Sequence, residues 1–341
     1  MKRALASALL LLAVAAAPAA AQDVASLDRS SPVAAFGGRL LWSAFDHATQ
    51  RWALMTRVGE VTSAVPVAER AVPFDADLGP GPDGAPVAVY SRCAREIGPS
   101  GSFTPALYGK GKGCDLFLFD FAAGTETRLA AASAPHASEF WPTVWRDRIA
   151  FARTYDARPD RSFLYARPLS AGGASTRLPA GPLSGCRQCN TRHAFPIALE
   201  LYGRRLAFAW TYAGTHEGLE TDIRLDTIGG PHVRVAHQNG GGLTQVQPGW
   251  PAFEAGSLYW SVGCFGDPGG CPRTFGLRRY RISTGAMASA PGPQSVLAHD
   301  RDRGTTWVLE DAQPGADCMG DPPVAGGTCT LRGLQPAFSA G

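Results

Sequence analysis

Trp141-Pro142-Thr-Val-Trp145, followed by Arg148-Ile-Ala-Phe151, is the stretch on which the reading of this chain turns. An aromatic residue and a proline open it, and a short apolar strand ending in an aromatic closes it. The pattern returns at Phe195-Pro196 with Leu206-Ala-Phe-Ala-Trp210, and at Trp250-Pro251 with Leu258-Tyr-Trp260, at spacings of 54 and 55 residues. Runs rich in Val, Ile, Leu and aromatics, divided by Gly, Pro and Asp, read as strands and turns. A repeat of this length built from strands is the size of one blade of a β-propeller, four antiparallel strands arranged outward from a central axis.

Working outward, six such passes can be laid along the chain. Arg39-Leu-Leu-Trp42 and Trp52-Ala-Leu-Met55 form the middle of the first, after Pro32. Pro86-Val-Ala-Val-Tyr90 and Asp115-Leu-Phe-Leu-Phe-Asp120 form the second, which begins near Pro73. Phe163-Leu-Tyr165 completes the third, Thr221-Asp-Ile-Arg-Leu225 the fourth, and Gly276–Ile282 the fifth. The sixth uses Thr305-Thr-Trp-Val-Leu309 and Thr330-Leu-Arg-Gly-Leu334 and shows no outer strand after Leu334. The segment Asp23 to Leu27 is predicted to supply it, closing the ring and removing an exposed sheet edge. Six blades in about 320 residues leave a little over fifty each, and no seventh pattern is present.

The chain opens with Met1-Lys-Arg3, an apolar run from Ala4 to Ala17, then Pro18 and Ala19-Ala20-Ala21. A charged start, a short apolar middle and a small-residue end predict a secretory signal peptide over 1–21, cut before Gln22. The expected mature chain, 22–341, is then a single propeller domain, exported to the periplasm or the medium. The apolar run is short for a membrane span, and no cysteine follows the cut to take a lipid. Losing Lys2 and Arg3 lowers the formal charge from +3 to +1 (3 − 2). A nearly neutral surface gives no broad attraction to nucleic acid or anionic lipid.

Eight cysteines in an exported protein predict disulfides. Cys93 and Cys114, Cys264 and Cys271, and Cys318 and Cys329 each flank the loop between the second and third strands of a blade. Sequential pairing would staple the same hairpin three times. Cys186 and Cys189 lie between the third and fourth blades, so all four cross-links are expected at one mouth of the ring.

Within the second blade, Gly81-Pro-Asp-Gly84 leads into Pro86-Val-Ala-Val-Tyr90, then Cys114-Asp-Leu-Phe-Leu-Phe-Asp120, then Thr127-Arg-Leu129. The order resembles a repeat of the TolB-like β-propeller family, and Ser175-Thr-Arg-Leu178 echoes its ending in the third blade. The likeness spans about 30 to 335. It implies an exported binding scaffold, or a propeller appended to an enzyme. The chain is expected to have no room for such an appended catalytic domain.

Several local patterns point to chemistry and are weighed against plainer readings. Asp300-Arg-Asp-Arg-Gly304-Thr-Thr-Trp307 looks like the Asp-box of sialidases with aspartate in place of serine, and reads as a folding turn. Asp75-x-Asp77-x-Gly79 and Asp300-x-Asp302-x-Gly304 have the opening spacing of a calcium loop but lack its closing carboxylate. Cys186-Arg-Gln-Cys189 has redox or half-zinc spacing, but no helical period follows it, so a structural disulfide is expected. His136, Glu139, Arg192, His193, His216 and Glu217 fall in or near loops on one predicted face and are the candidate binding residues. His237 is a further loop histidine. Trp141 and Trp250 are expected to pack between blades. No Gly-x-Ser-x-Gly, His-Glu-x-x-His or phosphate-binding glycine loop is present.

These readings together predict an all-β, disulfide-stapled, six-bladed propeller. It would act as a monomeric, non-catalytic scaffold for a protein, peptide or glycan, with no cofactor and no metal. The alternative is an enzyme of lactonase, lyase or glycosidase type working in the central channel. Such an enzyme requires acidic, His or Arg side chains converging at one depth of that channel.

Overall fold

The computed structural model describes residues 22–28, 31–96, 111–170, 173–179, 190–213, 219–239, 244–254, 256–266, 276–291, 297–311, 329–334 and 339–340. Six antiparallel blades of four strands are laid out in chain order. Blade 1 consists of Val33–Phe36, Arg39–Asp46, Arg51–Val58 and Val61–Ala64. Blade 2 consists of Asp77–Pro80, Pro86–Glu96, Gly111–Asp120 and Thr125–Arg128. Blade 3 consists of Ala137–Trp145, Arg148–Tyr155, Arg158–Pro168 and Thr176–Arg177. Blade 4 consists of Asn190–Tyr202, Arg205–Ala213, Leu219–Thr227 and His232–Asn239. Blade 5 consists of Thr244–Glu254, Ser257–Gly266, Gly276–Arg281 and Met287–Pro291, with Ser339–Ala340 added at its edge. Blade 6 has Leu297–Asp300, Thr305–Asp311 and Cys329–Leu334.

The fourth strand of blade 6 comes from the other end of the chain. Gln22–Leu27 pairs antiparallel with Cys329–Leu334, in the register Leu27 to Cys329 and Asp23 to Arg332. The ring is thus closed by the segment that the missing outer strand had called for. Leu27 is buried there beside Cys329 and Leu331. The largest apolar cluster runs through blades 1, 3, 4, 5 and 6 and includes Trp42, Phe140, Leu201, Phe208, Trp210, Phe253 and Trp260. A second joins blades 1 and 2 around Leu41, Phe74 and Tyr90. Burying aromatics of this size contributes roughly 1.5–3 kcal/mol each, before the entropy of ordering them is subtracted.

Alternation explains which strand faces what. Blade 1's third strand alternates buried Trp52, Leu54 and Thr56 with partly exposed neighbours. The inner strands of blades 1 and 2 are buried throughout, because both faces meet adjoining blades. Gly79 shows how tightly: a Cβ there would stand 2.3 Å from the Val144 carbonyl oxygen of blade 3.

The aromatic–proline motif corresponds to a β-bulge in the inner strand. Trp141-Pro142 interrupts the register between Phe140 and Thr143, and Trp250 that between Pro248 and Pro251. In blade 4 the bulge is at Ala198, between Ile197 and Leu199. Phe195-Pro196, read from sequence as the second copy, therefore sits three residues too early, and Ala198-Leu199 holds the equivalent place. Trp141 and Ala198 have φ of 50° and 49°, a left-handed conformation that L-residues adopt at a cost. At Trp141 the strain is offset by its backbone N–H, which donates to Asp75 Oδ2 at 2.8 Å.

Cys93 and Cys114 face each other across the second and third strands of blade 2 and form a disulfide. Cys329, which opens the third strand of blade 6, is buried and disulfide-bonded. The side chain of Cys264 and all of Cys186, Cys189, Cys271 and Cys318 lie outside the described residues. Among the described residues, no helix is long and apolar enough to cross a membrane.

Candidate active site on the propeller axis

Inner strands from all six blades border one cavity on the axis. Its lining includes Val33, Asp75, Asp77, Trp141, Pro142, Ala198, Glu200, Trp250, Pro251 and His299. Its volume of about 30 Å³ holds roughly two water molecules. Sheet geometry puts these side chains together, because each blade offers one short run of its first strand to the axis.

The acidic residues play different parts. Asp75 is tied into the framework: its oxygens accept from Ser91 N–H at 2.9 Å, Ser91 Oγ at 2.7 Å and Trp141 N–H. Arg70 also donates to it, at 3.4 Å. Asp77 Oδ2 accepts from Thr143 Oγ1 at 2.7 Å and from Val144 N–H at 3.0 Å. Burial nonetheless pushes the Asp77 carboxyl up. Glu200 keeps 16 % of its side-chain surface exposed, and it lines the cavity. Loss of hydration raises it well above the carboxylate range, reinforced by the charge of Asp77 and a hydrogen bond to it. The two donors on Asp77 favour its charged form, so burial raises Glu200 with less opposition and favours the proton there.

Arg301 balances that charge. Its Nη1 is 3.5 Å from Glu200 Oε1, and its guanidinium lies 4.3 Å from the Trp145 ring centroid and 5.0 Å from that of Tyr202. The buried arginine and its aromatic neighbours close the axis beside Glu200. Across the cavity, burial lowers His299, so the imidazole is neutral at neutral pH. Its Nδ1 lies 3.1 Å from Thr306 Oγ1, and its ring stacks on Tyr259 at 5.3 Å. Nε2 is buried without a hydrogen-bond partner. The axis thus offers a carboxyl with a raised pKa, an imidazole with a lowered one and a fixed positive charge, groups suited to acid–base work.

The residues singled out from sequence fall elsewhere. His136 is exposed at a positive-φ turn. Glu139 is buried in blade 3, bonded to Arg153 at 2.7 Å, and burial pushes it up to about 7. Neither lines the axial cavity. Arg192 and His193 lie on the inner strand of blade 4 with their side chains outside the described residues. His216 and Glu217 lie outside the described residues altogether. His237 holds Asp222 at 2.7 Å, away from the axis. Asp300, in the Asp-box-like run, accepts from Gly38 N–H at 2.7 Å and Asp302 N–H at 3.1 Å, which is the work of a turn. Trp141 and Trp250 do pack between blades, at 6.1 Å, and also line the cavity.

Glu200, His299 and Arg301 were missed because no local motif joins them. The available signal was a charge inside an apolar inner strand, Ala198-Leu-Glu200-Leu-Tyr202.

No protein-family model and no curated protein matches the chain. Solved structures do. A puromycin hydrolase matches at 18 % identity and TM-score 0.47, covering 82 % of this chain and 43 % of its own. YjhT matches at 12 % and 0.43, over 76 % of this chain and 83 % of its own. The acylaminoacyl peptidase of Pyrococcus horikoshii matches at 12 % and 0.42, over 83 % and 42 %. The chain thus spans less than half the length of the hydrolase and the peptidase. The expectation of a non-catalytic scaffold is corrected by the axis itself, where acidic, histidine and arginine side chains converge as an enzyme requires.

Proposed function

We propose that this chain is an exported TolB-like propeller whose axial cavity carries out acid–base chemistry of the lactonase, lyase or glycosidase type. The observation that carries this reading is the convergence of Glu200, Asp77, His299 and Arg301 from blades 2, 4 and 6. A carboxyl whose protonated form is favoured by burial can donate to a leaving oxygen, and a neutral imidazole with an unpartnered nitrogen can take a proton from water or substrate. Arg301 favours the negative charge that remains on the carboxyl pair. The leader-like start and the Cys93–Cys114 disulfide support export.

The test is turnover of a panel of simple lactones, aryl esters and aryl glycosides by the purified protein and by Glu200→Gln. Loss of the acid is expected to lower kcat by roughly 10²–10⁴-fold. Equal turnover by both proteins refutes the reading, as does a wild-type protein inert on the whole panel.

A further inference from the structure

Two donors on this cavity have no acceptor. Trp141 Nε1 and Trp250 Nε1 are buried without a hydrogen-bond partner, and both residues line the axial space. An indole N–H can only donate, and leaving one buried and unmade costs about 1–3 kcal/mol. One orphan would mean little, since Trp210 Nε1 is another, deep in the apolar core. Here two belong to residues that line one cavity, and His299 in the same lining has its Nε2 unpartnered. Both tryptophans sit at bulges. Trp141 and Trp250 hold equivalent positions in blades 3 and 5, and the intervening blade places small Ala198 there. Room left by the missing side chain lets the two rings meet edge to face at 6.1 Å.

Resting on the axial reading above, we propose that the two indole N–H groups receive the carbonyl oxygen of a carboxylic ester or lactone. An ester or lactone carbonyl oxygen carries two lone pairs and can accept from both indoles at once. The step balances with the groups present. Water attacks the carbonyl carbon and gives its proton to His299 Nε2. The π electrons move onto the oxygen held by the indoles, forming a tetrahedral oxyanion. Collapse breaks the acyl C–O bond, and Glu200 hands its proton to the departing alkoxide. The products are a carboxylic acid and an alcohol, or one hydroxy acid from a lactone. His299 returns its proton to Glu200 through solvent.

The test compares wild type, Trp141→Phe and Trp250→Phe on phenyl acetate, γ-butyrolactone and 4-nitrophenyl glucoside. Turnover of the ester or lactone, with kcat reduced about 10²–10³-fold per lost donor and KM little changed, is the expected result. Phe variants within twofold of wild type, while Glu200→Gln is inactive, overturn the indole role and leave the axial reading intact. Turnover confined to the glucoside overturns the substrate class. If Glu200→Gln keeps full activity, the axial reading fails first. Since a Phe variant can fail to fold, the wild-type protein labelled with ¹⁵N-indole is titrated with acetate. Saturable downfield shifts of two indole protons are expected, and unmoved resonances overturn the proposal.

Discussion

At the residue scale, burial rather than pairing decides the charge states. Glu139 shows this most clearly, because a bonded arginine fails to keep its pKa low. Desolvation outweighs Arg153, whose Nη2 also donates to the Ala132 carbonyl at 2.6 Å, and Glu139 Oε2 is left unpartnered. The folded protein therefore retains a proton to about pH 7 that the unfolded chain releases near 4.5. The group's stabilising contribution is whole below about pH 4.5. It fades as pH rises toward 7, by up to roughly 3 kcal/mol. Glu139→Gln removes this titration. Its melting temperature, followed from pH 4.5 to 7.5, is expected to fall less steeply than that of wild type. Parallel slopes contradict the assignment. Glu200 follows the same rule, and there the raised carboxyl is the proposed proton donor.

At the scale of elements, each blade depends on its neighbours, and blade 6 also depends on the far end of the chain. Without Gln22–Leu27, the strand Cys329–Leu334 presents a bare edge, and buried Leu27 leaves the core. The exposed pair Arg332–Asp23 adds little. Deleting 22–28 is expected to lower the melting temperature by about 10 °C or more and to promote association through the edge. Calorimetry and size-exclusion chromatography check this, and an unchanged melting temperature with a monomeric elution contradicts it. That closure was legible because an outer strand was missing from one end of the chain and present at the other. The disulfide of blade 2 was legible because cysteines flanked a hairpin. The bulge in blade 4 was not, because Phe195-Pro196 copies the motif's chemistry three residues before its place. Counting back from Arg205, as from Arg148 and Ser257, would have found Ala198.

At the scale of the whole molecule, the site exists only once the ring is closed. Asp77 comes from blade 2, Glu200 from blade 4 and His299 with Arg301 from blade 6, so nothing local marks them as partners. Asp77 was noticed for its spacing to Asp75, yet the two carboxylates make separate hydrogen-bond sets instead of sharing a ligand. Asp300 resembles a folding motif, while its neighbours His299 and Arg301 are the ones placed at the axis. Loop histidines drew attention because sequence shows exposure more readily than convergence. A propeller axis reverses that bias: its important side chains sit on buried strands among alanines and prolines.

The central claim is that the axial cavity is where a substrate's reacting bond lies. A crystal structure of Glu200→Gln soaked with γ-butyrolactone tests it most directly. Ligand density is expected on the axis, within hydrogen-bond distance of His299 Nε2 and bordered by Trp141 and Trp250. Ligand bound only at a blade rim, with an unaltered axis, would contradict it.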